Sequence, residues 1–298
     1  MPEPSPKVTV EVEGRRLAVS NLDKILYPAT ETTKGEVLNY YARVGPILLA
    51  HLARRPVTRI RYPNGVEAAS FFEKNLPTGA PAWLPRVTIG HKGDRLTYPL
   101  VTGLDALTYL ANLASIELHV PQWQVSATGR PRNPDRLVID LDPGPGAGLQ
   151  ECSIVALRVR DRLAHIGLTP VPVTSGSKGM QVYAALPGTH SSDDMSALAQ
   201  QLATELSAQD PDLVVWRMTK SLRPGKVFLD WSQNVAAKTT ISPYSLRARQ
   251  APYVATPRTW EEVQGGAASD NLEQATLDEV LERVQRLGDV ADALLHGP

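Results

Sequence analysis

Asp140 and Asp142, in Leu137-Val138-Ile139-Asp140-Leu141-Asp142-Pro143-Gly144, are the residues whose types and spacing point most directly to chemistry. In a strand, side chains alternate faces, so Leu137, Ile139 and Leu141 share one face and the two aspartates share the other. The aspartates then stand roughly 6.6–6.8 Å apart along the backbone, close enough for both carboxylates to reach one cation. Two like charges on one face of an apolar strand repel, and each resists desolvation; a divalent ion relieves both costs. Taken alone, the pair is as readily a turn cap at Pro143-Gly144 with Asp140 paired to an arginine. A third acid shifts that balance: Asp230 ends a second short apolar run, Val227-Phe228-Leu229-Asp230. Three oxygen donors at strand ends suit Mg2+ or Mn2+ better than zinc, and two such ions support in-line phosphoryl or nucleotidyl transfer.

Groups that could bind phosphate accompany the acids. Thr174-Ser175-Gly176-Ser177-Lys178-Gly179 lies between two strand-like runs, and its glycines, hydroxyls and the Lys178 charge make a plausible triphosphate cradle. It is not a P-loop, because the G-x-x-x-x-G-K-[ST] spacing is absent. Such turns are structural more often than not. Further cations, Arg217, Lys220, Arg223, Lys226, Lys238, Arg247 and Arg249, flank Asp230. A solvated basic face is the ordinary meaning of such a cluster. Here Lys238-Thr239-Thr240 and Tyr244-Ser245-Leu246-Arg247 interleave donors with apolar residues, which suits a lined cleft better. His119, just upstream of the Asp strand, is kept as a candidate, although a lone histidine is more often a satisfied core residue.

Periodicity supplies the elements that must hold these residues. Val8–Val12 alternates as an edge strand. Thr33 and Glu36 have capping-box spacing, and Val37, Leu38, Tyr41, Val44 and Leu48 form one stripe of the helix that follows. Val57–Tyr62 reads as a strand closed by the turn Pro63-Asn64-Gly65. A helical pattern covers Leu104–Leu118, and a loop over Thr128–Asp135 precedes the strand Arg136–Asp142. Beyond it the spacing predicts a helix over Gln150–Ile166, strands over Leu168–Thr174 and Met180–Leu186, and a helix over Asp193–Leu206. A strand over Val227–Asp230 and a closing amphipathic helix over Leu272–Leu295 follow. The sum is a mixed α and β chain with two sheet modules and a soft boundary near Thr128–Asp135.

Composition narrows the class. With 31 Lys+Arg against 31 Asp+Glu, the net charge is +0, which excludes a histone-like polycation or an acidic tail. Hydrophobic residues at 42% of 298 leave ample material for a packed core. The single cysteine, Cys152, excludes an internal disulfide framework and a Cys-rich zinc site. No run approaches the ~20 apolar residues of a membrane span, and the first six residues carry no signal core, so a cytoplasmic protein with no membrane partner is expected.

The ordered set of motifs resembles the polymerase domain of bacterial LigD and its stand-alone relatives, members of the archaeo-eukaryotic primase superfamily that act in end joining and gap repair. The matching stretches are Asp23-Lys24-Ile25-Leu26-Tyr27-Pro28, Phe71-Phe72-Glu73-Lys74, His119-Val120-Pro121-Gln122-Trp123, Asp140-Leu141-Asp142-Pro143-Gly144, Thr174 to Gly179, Thr219-Lys220-Ser221-Leu222-Arg223, Asp230-Trp231-Ser232-Gln233-Asn234 and Lys238-Thr239-Thr240, in family order. The resemblance implies an α+β primase-polymerase fold in which an RRM-like catalytic sheet module packs against an N-terminal αβ module. Residues 1–298 then form one catalytic unit, with approximate submodules 1–130 and 131–298.

The resemblance also implies roles. Asp140, Asp142 and Asp230 hold two Mn2+ or Mg2+ ions; His119, Ser175, Lys178, Arg223, Lys238 and Arg247 grip the incoming NTP or dNTP. Lys24 and Lys34 hold the 5′-phosphate of the downstream strand, and Phe71 and Phe72 pack on template bases, where stacking is worth ~1–3 kcal/mol per base. As strand neighbours face opposite ways, only one of the two phenylalanines could face a core. The implied function is extension of primer 3′-OH ends at gaps or breaks, with a preference for ribonucleotides. The implied partners are gapped or broken DNA, a separate ligase of the LigC type, and Ku. LigD also carries ligase and phosphoesterase domains, for which these residues leave no room, so a stand-alone polymerase or a piece of a fusion is expected.

Two other classes share part of this pattern. A nucleotide-sugar glycosyltransferase also sets Asp-x-Asp at a strand end, but has no use for the third acid amid basic residues. A non-catalytic DNA-end-binding scaffold keeps Lys24, Lys34 and the phenylalanines but leaves the acids idle. Charge neutrality, with bases gathered near the acids and many acids in the last forty residues, implies few phosphate contacts. Modest DNA affinity with a shallow salt slope is therefore expected.

Overall fold

The computed structural model describes residues 7–91 and 94–297. Its centre is a six-stranded sheet in the order Val214–Val215, Val227–Asp230, Arg136–Pro143, Met180–Ala185, Pro170–Thr174, Thr256–Pro257. All neighbours are antiparallel except the short first pair. Four of these strands and two helices, Leu149–His165 and Ser192–Gln209, follow one another as β-α-β-β-α-β, with the fourth strand beside the first and the third beside the second. This is the RRM order. Leu137, Ile139 and Leu141 face the two helices and form one core with Cys152, Val155, Ala199 and Leu206. Val138 faces the other way into a larger core, and the aspartates follow it on that face.

A second sheet has the order Thr240–Ile241, Ser115–Val120, Thr58–Arg61, Phe71–Glu73. Its first strand comes from beyond Asp230, so the chain crosses from the large sheet to pair with His119 and Val120. The larger core runs between the sheets, from Tyr40, Val44 and Leu48 through Leu118 to Tyr183 and Val254. The helix Lys34–Leu52 lies on it. Its capping box is closed: Glu36 N donates to Thr33 Oγ1 at 3.2 Å and Thr33 N to Glu36 Oε2 at 2.7 Å.

Three expectations are corrected. The helix predicted over Leu104–Leu118 stops at Asn112. Ala114 adopts a left-handed φ of 57°, and Ser115–Val120 is the second strand of the small sheet. That strand is buried on both faces, so its apolar run carries no alternation to distinguish it from a helix. The loop expected over Thr128–Asp135 contains a strand, Pro131–Pro134, paired with Trp123–Val125. The closing helix is shorter, Leu277–Leu287, ending at Gly288 and followed by a 3-10 turn at Asp292–Leu294. A separate helix, Trp260–Ser269, carries Glu261 and Glu262. The expected mixed α and β class holds, with six α-helices among the described residues.

Candidate active site

Register in the large sheet assembles the acids. Asp140 pairs directly with Asp230 across the antiparallel strands, and Asp142 follows opposite Phe228. On its other side Asp140 pairs with Gln181, whose Nε2 donates to Asp140 Oδ1 at 3.1 Å. Burial, joined by the charges of Asp230 and Asp142, pushes the Asp140 carboxyl up to about 7 against that hydrogen bond. Asp230 Oδ1 accepts from Ser232 N at 3.1 Å, and Oδ2 from Gln233 Nε2 at 2.8 Å. Two cations edge the cluster. Arg223 Nη1 lies 3.4 Å from Asp142 Oδ2 with its guanidinium 3.7 Å from the Phe228 ring, and Lys238 Nζ lies 3.7 Å from Asp230 Oδ2.

The donor chemistry fits a hard divalent ion: three carboxylates, an amide beside them, no sulfur, and an acid whose pKa is raised by burial first and then by its neighbouring carboxylates. Among the described residues, however, no three His, Cys, Asp or Glu side chains close into a ready metal site. The sheet places the acids side by side, while Asp142 and Asp230 turn towards Arg223 and Lys238.

Around the acids opens a cleft of ≈ 730 Å³ lined by His119, Asp140, Asp142, Ser175, Lys178, Asp230 and Arg247 together with Gln181, Gln233 and Arg249. The loop Ser175 to Gly179 forms one wall. Ser175 N donates to Gly179 O at 3.0 Å and closes it. A Cβ on Gly179 would lie 2.0 Å from the Leu141 carbonyl oxygen, so only glycine lets the loop press onto the Asp strand. Gly176 has φ +68°, and a Cβ there would stand 2.6 Å from Arg247 Cγ. The turn therefore packs directly on the stem of a cleft arginine. From behind, Gln274 spans the loop: its Oε1 accepts from Gly176 N at 2.7 Å and its Nε2 donates to Gly179 O at 3.0 Å.

The small sheet brings His119 to the cleft and carries the two phenylalanines away from it. His119 pairs with Ile241 and Thr58, and two strands further out Phe71 and Phe72 lie on the edge, 50% and 60% exposed. Neither phenylalanine faces the core, so both rings are available on one edge strand. Lys24 and Lys34 do not line the cleft but are close to each other, with Lys34 N donating to Lys24 O at 2.8 Å. Lys34 Nζ is buried and donates to Ser20 O at 2.6 Å and Asn112 Oδ1 at 2.8 Å, while Lys24 Nζ reaches Asn64 Oδ1 at 3.0 Å. Burial, then the neighbouring Lys24 charge, push the Lys34 amine down to about 8.

Three contributors escape sequence reasoning, Gln181, Gln233 and Gln274, whereas Arg249 is already among the cations expected around Asp230. Gln181 left a signal, being the one amide in an otherwise apolar strand. Gln274 left none, since it reaches the loop from nearly a hundred residues away.

Three acids thus stand on neighbouring strands of an RRM-ordered sheet, beside a cleft that Lys178, Arg247 and Arg249 also line. The chain belongs to the LigD primase-polymerase domain family, whose profile matches residues 33–291. It is 48% identical over 285 residues to the multifunctional non-homologous end joining DNA repair protein LigD of Mycobacterium tuberculosis, covering 94% of this chain and 37% of that protein. To the bifunctional LigD of Bacillus subtilis it is 31% identical over 274 residues, covering 92% of this chain and 43% of that protein. The solved polymerase domain of M. tuberculosis Ligase D in complex with DNA superposes with a TM-score of 0.90 at 47% identity, covering 95% of this chain and 99% of that one. The chain thus spans roughly two fifths of the curated relatives' length. Membership places it with polymerase-type nucleotidyltransferases, apart from sugar transferases and passive scaffolds. No helix among the described residues is long and apolar enough to cross a membrane.

Proposed function

We propose that this domain extends primer 3′-OH ends by template-directed nucleotidyl transfer at gaps or breaks, in end joining or gap repair. The observation that carries the reading is the pairing of Asp140 with Asp230, with Asp142 on the same face, at the floor of a cleft walled by Ser175, Lys178 and Arg247. Asp140, Asp142 and Asp230 would hold two Mn2+ or Mg2+ ions. When bound, those ions would lower the pKa of the 3′-OH and neutralise the triphosphate.

The protein's own groups do the rest. Lys178, Arg223, Lys238 and Arg247 take the charge of the triphosphate and then of the pyrophosphate leaving group. The Ser175 to Gly179 loop offers backbone N–H and hydroxyl donors, and His119 faces it from the small sheet. The 3′-OH passes its proton to solvent water as its oxygen forms the new bond to the α-phosphorus; the bond from the α-phosphorus to the oxygen bridging it to the β-phosphate breaks, and pyrophosphate leaves with that electron pair. Phe71 and Phe72 stack on template bases, and Lys24 with Lys34 receives the downstream 5′-phosphate. That phosphate supplies the charge that makes a buried, partly discharged lysine fully cationic.

The same reading extends to ribonucleotide preference, action in the bacterial cytoplasm on the nucleoid, and hand-over to a ligase and Ku. The end-joining relatives support the repair context alone. The experiment is extension on a short gap with and without a 5′-phosphate, supplying NTP or dNTP with Mn2+ or Mg2+. Templated extension favouring NTP and the 5′-phosphate is expected. Extension that persists in Asp140→Ala/Asp142→Ala, or none on any gapped DNA, overturns the reading.

A further inference from the structure

Glu117 stands behind the cleft wall rather than in it. Strand alternation puts it on the same face as His119, two residues on, and it is only 3% exposed. Three groups converge on its carboxylate. His119 Nε2 is 2.8 Å from Oε2; on Oε1, Ala248 N donates at 3.0 Å and Arg247 Nε lies 3.5 Å away. His119 and Arg247 come from different elements, yet both line the cleft. The segment bearing Arg247 is further tied down by Tyr27, whose hydroxyl donates to Arg247 O at 2.9 Å, and by Tyr41, whose hydroxyl accepts from Leu246 N at 3.2 Å.

We propose that Glu117 is a positioning residue of the nucleotide cleft: one buried carboxylate that holds His119 and Arg247 in a preset pair before a triphosphate arrives. The inference rests on the reading of those two residues as nucleotide ligands. An ionised carboxylate only accepts hydrogen bonds, so His119 Nε2 must carry the proton, and Nδ1 is the ring nitrogen left for a ligand. Burial pushes the Glu117 carboxyl up, but the hydrogen bond from His119 and the charge of Arg247 outweigh it and keep the group ionised. The other titratable groups facing it are the hydroxyls of Tyr27, Tyr41 and Tyr62, all raised above the ordinary tyrosine range and so neutral. Its partners are therefore His119, by hydrogen bond, and Arg247, by charge. Both are ordered before binding, so less entropy is lost when the triphosphate docks.

The test is primer extension on 5′-phosphorylated gapped DNA with Glu117→Gln, His119→Ala and Arg247→Ala. Glu117→Gln keeps the shape and loses the charge. It should raise KM for NTP on the order of tenfold to a hundredfold, the worth of hydrogen bonds to a charged group, with kcat changed by less than about threefold. Affinity for the gapped DNA should stay unchanged. Glu117→Asp, which keeps the charge, should recover part of the KM loss. In the His119→Ala/Arg247→Ala background, Glu117→Gln should add nothing; a full additional loss there overturns the proposal. If His119→Ala and Arg247→Ala leave KM unmoved, the nucleotide reading itself fails and this inference with it, whatever Glu117→Gln does. Should Glu117→Gln not fold, nitrogen-15 NMR of the unaltered chain decides: a neutral His119 protonated on Nδ1 rather than Nε2 overturns the proposal.

Discussion

Asp140 and Asp230 are direct partners across two antiparallel strands, although ninety residues separate them in the chain. Like charges placed opposite each other destabilise a sheet, so this pairing weakens the metal-free fold, a cost that the proposed cations would offset. Asp140→Asn should raise the melting temperature in EDTA by on the order of 2 °C while lowering extension by on the order of a thousandfold. Calorimetry beside primer extension checks both. A variant that is both inactive and less stable would show that the pair is structural.

If Lys34 receives the 5′-phosphate as proposed, that recognition should depend on pH. Its folded pKa of about 8 lies below the ordinary lysine value of 10.5. Below about pH 8 the amine is charged in both folded and unfolded chains. Between there and its ordinary value the unfolded chain binds more protons, so the free protein gains stability as pH rises through that window. Preference for a 5′-phosphate over a 5′-hydroxyl should fade across the same window as the ammonium is lost. Fluorescence anisotropy with both gapped DNAs at pH 7 and pH 9 measures the ratio. Lys34→Met should flatten it, and a ratio equally flat in the unaltered chain would contradict the role.

Phe71 and Phe72 are exposed on an edge strand, so truncating them should cost almost nothing in stability. Phe71→Ala/Phe72→Ala should leave the melting temperature unchanged yet weaken gapped-DNA binding by ~1–3 kcal/mol for each base that loses its stack. Unaltered DNA binding in the variant would remove the template role.

Gln274 holds the phosphate loop by both amide atoms. Gln274→Glu keeps the acceptor for Gly176 N but loses the donor to Gly179 O and adds a negative charge beside the loop proposed to take the triphosphate. It should raise KM for NTP by roughly tenfold, since the Gly179 carbonyl keeps its bond from Ser175 N but loses its second donor, worth ~0.5–1.5 kcal/mol, and faces a carboxylate instead. Titration of NTP against extension rate, with gapped-DNA affinity as control, reads the effect. An unchanged KM would mean that the loop holds its shape alone.

Local patterns were legible wherever chemistry and periodicity coincided. The Asp140 strand, the glycine-bearing loop and the capped helix at Lys34 each occur where the residues indicate, because alternation, turn chemistry and capping act over a few residues. The strand Ser115–Val120 was read as helix because burial on both faces erases the period that separates the two. The helix Trp260–Ser269 went unseen: two glycines and a short apolar stripe give it little pattern beyond its Thr259–Glu262 cap.

By itself the sequence determined the reactive groups and their immediate geometry: two acids on one strand face, a third at the end of another, a glycine-bearing loop with one lysine, two neighbouring phenylalanines. The tertiary structure alone decided that Asp230 meets Asp140, that Thr240–Ile241 crosses to pair with His119, and that Glu117 and Gln274 stand behind the residues that face the cleft. It also decided that Lys34 is buried and both phenylalanines are not. The division has a physical cause. Spacing along a strand or turn is set by covalent geometry and short-range sterics, whereas cross-strand register and burial arise only when distant segments compete for one core.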